Sequence, residues 1–363
     1  MSKLRLSIIV PTYNESQNIG EFLRRIEKTL GASGWETIFV DDDSPDQTAK
    51  VVRDIALVDS RVRCLQRIGR RGLSSAVIEG MLAASATTIA VMDADLQHDE
   101  AILPKMMSEI EENNADLVVA SRYSAGGSFG GWKESRKKMS RMATMASQLI
   151  FKHNVSDPMS GFFMINRQAL DTVVHNLSGL GFKILLDILV TGKNHLRVSE
   201  VPYRFRGRFT GESKLDGRAA WEYGMLLADK TVGRFIPVRF LAFSIIGGLG
   251  VFVHMGVLAL VLKILGLSFL VGQSIATGTA MVFNFTLNNI LTYRDRRLTG
   301  WAWLTGLLSF MIACSIGALA NIGIANFLFQ NRTQWVIAAI AGILVSVVWN
   351  YAITKLYTWR KKG

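Results

Sequence analysis

Thr88-Ile89-Ala90-Val91-Met92-Asp93-Ala94-Asp95-Leu96-Gln97 is the stretch on which the fold turns. An apolar, β-branched run that ends in two carboxylates one residue apart predicts a strand buried on both faces, with polar chemistry at its carboxyl end. Similar runs at 6–10, 37–40, 62–66 and 117–120 read as further buried parallel strands. Between them, 15–30, 46–59, 72–84 and 100–113 carry helical spacing of apolar residues. This alternation over 1–125 predicts a doubly wound α/β sheet with its site at the strands' carboxyl ends. The polar clusters 12–15, 41–46, 93–97 and 121–123 fall there. Neither GxGxxG nor GxxxxGK[ST] follows any strand, which argues against a dehydrogenase or a P-loop NTPase.

The chain of 363 residues has a formal charge of +12, distributed very unevenly. Residues 1–236 hold 28 of the 29 acids and 31 of the 41 bases; residues 237–363 hold one acid, Asp295, and ten bases. An almost acid-free, apolar final third is membrane composition, so the excess charge does not point to nucleic acid. Four apolar stretches at 240–262, 267–290, 304–329 and 335–356 have the length of membrane spans. Lys230, Arg234 and Arg239 precede the first, Arg294, Arg296 and Arg297 follow the second, and Lys355, Arg360, Lys361 and Lys362 follow the fourth. The other two loops carry only Lys263 and Arg332. The positive-inside rule then predicts four spans in the cytoplasmic (inner) membrane, with both termini and the middle loop cytoplasmic. The apolar run at 6–10 is too short for a signal peptide and Pro11 ends it, so the first domain is expected to stay in the cytoplasm. Two cysteines, Cys64 and Cys314, exclude a disulfide framework.

Asp93 and Asp95 at a strand end can hold a hard divalent cation, with Gln97 adding a neutral oxygen and substrate phosphates completing the shell. Acidic pairs at strand ends also serve as helix caps. In the run 41–46 one carboxylate could accept hydrogen bonds from a nucleobase or ribose, while others make the turn and cap the next helix. Pro11-Thr12-Tyr13-Asn14-Glu15 offers an aromatic face suited to a flat base, and equally a strand-to-helix turn. Trp132, Lys133, Arg136, Lys137, Lys138 and Arg141 form a basic stretch suited to a membrane surface. Inside the spans, Asn284, Asn288, Asn289, Asn321, Asn326 and His254 either line a path for a polar lipid head or bond between helices.

The ordered set PTYNE (11–15), VDDDSPD (40–46), RRGLSSA (70–76), DADLQH (93–98), SRY (121–123), DPMSGFF (157–163) and RFTGESK (208–214) resembles the family-2 glycosyltransferases of the GT-A fold, and among them the polyprenyl (dolichol) phosphate mannosyltransferases. The final third, with NFTLNNILTYR at 284–294, is similar to the GtrA-like four-helix membrane domain. The resemblance implies a GT-A Rossmann-like nucleotide-sugar transferase domain (1–231), a linker (232–239) and an all-α four-helix transmembrane domain (240–360). It implies that Pro11, Tyr13, Glu15, Val40 and Asp42 surround the base and ribose, and that Asp93, Ala94 and Asp95 meet the diphosphate and sugar. Asp95 and Gln97 would hold Mg²⁺ or Mn²⁺, Arg208 and Lys214 would close over the diphosphate, and Arg122, Arg136 and Ser140 would hold the acceptor's phosphate. Asp95, Arg122 and Arg136 are the expected catalytic residues; His98 is read as a supporting side chain.

Two positions depart from the family pattern: Phe163 stands where Arg is usual, and Arg71-Gly-Leu-Ser74 where Lys-Gly-Leu-Gly is commoner. The Gln-x-x-Arg-Trp signature of processive synthases is absent. The expected reaction is transfer of one hexose, mannose from GDP-mannose, to a polyprenyl phosphate with inversion. UDP-glucose is the alternative donor, and a lipid-linked-sugar flippase with a regulatory first domain the alternative of another class.

Overall fold

A computed structural model describes residues 4–124, 126–128, 145, 148, 155–179, 183–192, 195–206, 217–233, 236–332 and 334–360. Arg136, Ser140, Arg208 and Lys214, and the basic stretch around Arg136, lie outside the described residues. The chain divides into two compact units, Met1–Leu227 and Ala228–Gly363.

The first unit is built on β1 (Leu6–Thr12), α1 (Ile19–Leu30), β2 (Trp35–Asp41), α2 (Thr48–Ala56), β3 (Val62–Gln66), α3 (Leu73–Ala83), β4 (Thr88–Val91), α4 (Leu103–Glu111), β5 (Leu117–Ser121), β6 (Phe163–Asn166), α5 (Arg167–Val173), α6 (Ile184–Gly192) and β7 (Val198–Pro202). The strands form one sheet in the order β3-β2-β1-β4-β6-β5-β7. The five strands read from the sequence are all present. The five run parallel to one another, as expected; in addition β6 lies antiparallel between β4 and β5, and β7 adds a parallel edge beside β5. The two additions escape a periodicity reading for physical reasons. β6 is four residues at the end of an apolar loop, and β7 (Val-Ser-Glu-Val-Pro) is a half-exposed edge strand.

Period-2 alternation in the buried strands feeds two cores. Leu6, Ile8, Val10 and Phe39 face one core with Ile19, Phe22 and Ile26 of α1; Ile9, Ile38 and Val40 face the other with Val77 and Met81 of α3. Each such side chain stabilises by about 1.5–3 kcal/mol at most. α3 packs so closely that a Cβ at Gly80 would lie 2.3 Å from Ile9 Cγ2 and 2.8 Å from Val40 Cγ2.

The antiparallel β6 has a functional consequence. It brings the start of a strand, and so Ser160, Gly161 and Phe162, to the sheet edge where β1, β2, β4, β5 and β7 end.

After α7 (Gly217–Val232), within which the division between units falls, the second unit contains α8 (Val238–Lys263), α9 (Phe269–Leu287), α10 (Trp301–Gln330) and α11 (Trp335–Ile353). α9 and α11 each run on into a π-helical turn, Asn288–Thr292 and Thr354–Thr358. Three segments, Val238–Lys263, Trp301–Gln330 and Val336–Thr358, are long and apolar enough to cross a membrane. α9 is a 19-residue helix. Gln273, Thr277, Thr279, Asn284 and Thr286 make it the least apolar of the four.

Candidate functional site

Three strand-to-helix loops converge beyond β1, β2 and β4, and each contains a non-glycine residue with left-handed backbone: Asn14 (φ 60°), Asp43 (φ 57°) and Leu96 (φ 62°). Asn tolerates this region, whereas Leu does so rarely. Strain of this kind gathers where loop geometry carries function. At Leu96 it turns the chain so tightly that Asp95 Oδ1 accepts the Gln97 N–H at 3.1 Å.

The first two loops are tied together. The Asn14 N–H donates to Ser44 Oγ (3.0 Å), Glu15 N–H to Thr48 Oγ1 (3.0 Å) and Ser16 N–H to Asp46 Oδ2 (3.0 Å). Asp41, fully buried, accepts from the Ser44 N–H and hydroxyl. Asp42 accepts the Gly72 N–H at 2.7 Å and lies 3.2 Å from Arg67 Nη1. Burial raises its pKa above the ordinary carboxylate range, against the pull of Gly72 and Arg67. Tyr13 is half-buried, and the Arg71 guanidinium stacks 4.4 Å above its ring.

Beyond β4, Ala94 is buried while Asp93 and Asp95 stay partly exposed. His98 explains the aim of Asp93. Its ring is buried against Phe162, Tyr203 and Phe205. Nδ1 meets Tyr203 Oη at 3.1 Å and Nε2 meets Asp93 Oδ2 at 3.3 Å. Burial drives the Tyr203 pKa upward, so its hydroxyl keeps its proton. Gly161 completes the seat, because a Cβ there would stand 3.1 Å from Asp93 Oδ2. Gln97 donates its amide nitrogen to the Arg206 carbonyl at 3.2 Å and accepts the Arg206 N–H on its own carbonyl at 2.8 Å. The amide nitrogen is thereby committed, and the side-chain oxygen is the atom that would meet a cation. Asp93, Asp95 and Gln97 are a hard-oxygen donor set, which fits Mg²⁺ or Mn²⁺ better than a softer metal. Among the described residues no group of three His, Cys, Asp or Glu forms a complete metal cage. Any such ion would share its shell with substrate oxygens.

Beyond β5, Arg122 is buried in a fork with the fully buried Asp157: Nε to Oδ2 at 2.7 Å and Nη2 to Oδ1 at 2.8 Å, with the Arg122 N–H on Oδ2 at 3.1 Å. Burial opposes its charge, but the fork outweighs burial and holds the guanidinium protonated above its ordinary range. Glu200 anchors the fork by accepting the Ser156 N–H and hydroxyl and the Asp157 N–H.

The structure thus brings Pro11, Tyr13, Glu15, Asp42, Asp93, Ala94, Asp95, Gln97 and Arg122 to one edge of the sheet. Pro11 and Val40 are buried, Val40 with its side chain in the core, so it can meet a ligand only through its backbone. Arg67, Asp157, Gly161 and Tyr203 join the site only through the fold. Asp157 and Gly161 were visible as parts of DPMSGFF, whereas Arg67 and Tyr203 acquire roles only by burial. Phe163 is fully buried in the sheet core, so its side chain does not point into the site.

A doubly wound sheet with one inserted antiparallel strand and a carboxylate pair at its central edge, followed in the chain by a helical unit of membrane-spanning character, defines a GT-A glycosyltransferase domain fused to a membrane domain. Residues 7–174 match the glycosyl transferase family 2 model and residues 242–359 the GtrA/DPMS transmembrane domain. A dolichol-phosphate mannosyltransferase of Pyrococcus furiosus is 35% identical over 98% of this chain and 99% of its own length. Proteins of the same description from Mycosarcoma maydis and Saccharomyces cerevisiae are each 34% identical over 64% of this chain, covering 82% and 89% of their own lengths. The chain belongs to the polyprenyl (dolichol) phosphate mannosyltransferase family within glycosyl transferase family 2, and is a membrane-anchored glycosyltransferase.

Proposed function

We propose that the protein transfers one mannose from GDP-mannose to a polyprenyl (dolichyl) phosphate, inverting the anomeric centre and releasing GDP. The observation that carries this reading is the Asp93–Asp95–Gln97 edge, held by His98, Gly161 and Arg206 beside the Tyr13–Asp42 loops, in a chain alignable end to end with a dolichol-phosphate mannosyltransferase.

Tyr13 with Arg71 forms an aromatic and cationic wall suited to stacking, and Asp42 an acceptor for base or ribose hydrogens. Pro11, Glu15 and the Val40 backbone complete that end. Asp95 and Gln97 would hold Mg²⁺ or Mn²⁺, which when bound neutralises charge developing on the departing diphosphate. Asp93 and Ala94 lie next to the sugar. Arg208 and Lys214 close over the diphosphate, and Arg122, Arg136 and Ser140 receive the acceptor phosphate. That phosphate is largely dianionic at neutral pH, its second pKa being about 6, so it needs no general base. One of its oxygens attacks the sugar C1 as the C1–oxygen bond to the diphosphate breaks, and the bonding pair leaves with GDP. What the chain supplies is placement and positive charge, the largest contribution in most such sites. The catalytic unit, both termini and the middle loop lie in the cytoplasm, with four spans in the membrane.

Purified protein in detergent, with Mg²⁺ or Mn²⁺ and a short polyprenyl phosphate, tests this. GDP release from GDP-mannose should require the acceptor and fall by about 10²-fold or more in Asp95→Ala. Release of UDP from UDP-glucose alone would move the protein to the glucosyl branch. No nucleotide release with any donor would overturn the transferase reading and leave a flippase with a regulatory first domain.

A further inference from the structure

The two halves of the membrane unit repeat one another in position. The steps from Phe269 to Trp335 and from Leu287 to Ile353, the first and last residues of α9 and α11, are both 66 positions. The π-helical turns that follow, Asn288–Thr292 and Thr354–Thr358, are offset by the same 66. Each turn closes with the same backbone bond, Tyr293 N–H to Asn288 O and Trp359 N–H to Thr354 O, both 2.8 Å. Over this stretch NFTLNNILTYR (284–294) faces NYAITKLYTWR (350–360), which share Asn, Thr and Arg at equivalent places and an aromatic residue at 285/351 and 293/359. In α8 and α10 the corresponding pairs are Phe243/Phe310 and Gly250/Gly317, 67 positions apart.

Contacts repeat as well. A Cβ at Gly250 would meet Asn284 Oδ1 at 2.3 Å, and one at Gly317 would meet Asn350 Oδ1 at 2.2 Å. Each hairpin is therefore closed by an asparagine amide lying against a glycine of the other helix. Between hairpins the ring pairs map onto themselves. Tyr293 stacks on its own equivalent, Trp359, at 4.2 Å and 7°, and Phe243 meets its own equivalent, Phe310, at 6.4 Å. One off-axis pair is reciprocal: Phe285 to Phe310 is 5.7 Å and Tyr351 to Phe243 is 5.8 Å. The contacts of Phe285 and Phe310 with Trp359, at 5.5 and 5.9 Å, have no ring counterpart at Tyr293 among the described residues. When residue i touches j, and the equivalent of i touches the equivalent of j, the interface is isologous, as in a two-fold dimer. Generic helix packing gives no reason for that reciprocity.

We infer that residues 238–360 are a tandem duplication of one two-helix hairpin, and that each hairpin's inner face is a docking surface for a second copy of that hairpin, about a pseudo-two-fold axis passing between Tyr293 and Trp359 and between Phe243 and Phe310. Both copies run in the same sense, so the axis lies along the helices, as in parallel membrane repeats. The copies differ where the chain must connect them. Asn289 clamps the Leu298 N–H and C=O and also accepts the Trp359 Nε1–H at 3.1 Å, whereas its equivalent is Lys355.

The full-length protein provides the test. Gly250→Ala and Gly317→Ala should each lower Tm, each being rescued by Asn→Ser at its own partner (Asn284 or Asn350) and not by the other. In a Cys64→Ser/Cys314→Ser background in native membranes, the pairs Phe285→Cys/Phe310→Cys and Phe243→Cys/Tyr351→Cys should both cross-link with a short bifunctional thiol reagent, in comparable yield. Tolerance of alanine at one glycine alone, or cross-linking of one pair alone, would overturn the duplication; the glycine series stands even where loss of core rings prevents insertion.

Discussion

Arg122 shows how burial redefines a charged side chain. Arg after a strand end in an SRY motif suggested a cation waiting for phosphate. Its fork with Asp157 means that its positive charge is already balanced, and that it can offer an acceptor hydrogen bonds from a fixed plane more than net charge. Arg122→Ala would strand a buried carboxylate, and Asp157→Ala a buried guanidinium. Either should cost about 3–5 kcal/mol, read as a large loss of thermal stability in the first unit. Arg122→Lys should not rescue, because an ammonium cannot reproduce the fork. Asp157 stood in plain view within DPMSGFF, but its partner is 35 positions away. The same is true of His98: adjacent to the DAD carboxylates in sequence, it gains its purpose from Tyr203, 105 positions on.

Among the elements, α3 and the β5–β7 edge make separate predictions. α3 lies on β1 and β2 with no room for a methyl at Gly80, because Ile9 and Val40 already fill the space. Gly80→Ala should cost about 1–3 kcal/mol despite the better helix propensity of alanine, seen as a lower midpoint in denaturant. At the β5–β7 edge, Asp116 accepts from Arg197 side chain and backbone and from Asn166. The Arg197 side-chain bond leads in holding the Asp116 pKa below its ordinary value, burial opposing it. A lowered folded pKa means stability that is present above the unfolded value of about 3.9 and lost as pH falls through the folded one. Asp116→Asn should therefore lower Tm at neutral pH and flatten its fall below about pH 4. β3, read as buried, is an edge strand with only Val62 buried; β1, β2, β4 and β5 were legible because each is an apolar run bounded by polar turns. β6 and β7 were not, since a four-residue strand and an exposed edge strand have too few buried residues to show a period.

Across the whole molecule, composition alone separates a soluble-type unit with nearly all the acids from an apolar unit with one. Three of the four helices in the second unit carry unambiguous span character, and the more polar α9 runs into the turn that buries Asn288 and Asn289. The unequal basic flanks make a concrete expectation about orientation. In the cysteine-free background, Leu265→Cys, between α8 and α9, should react with a membrane-impermeant thiol reagent in sealed right-side-out vesicles. Thr299→Cys, between α9 and α10, should react only after permeabilisation. The reverse pattern would place the catalytic unit outside.

The linear order of residues was enough for the sheet type, the edge at which the polar clusters Asp93–Gln97 and Tyr13–Asp42 gather, and the membrane character of the final third. All of these are local: periodicity, strand ends and composition are written in neighbouring residues. Long-range pairing settled the rest. The antiparallel β6 delivers Gly161 beneath Asp93, Asp157 neutralises Arg122, Arg67 reaches Asp42, and Tyr293 lies on Trp359 across two hairpins. Those facts depend on which distant segments pack together. That choice follows from burying both faces of the sheet and the inner faces of the helices at once, which no local window of the chain can express.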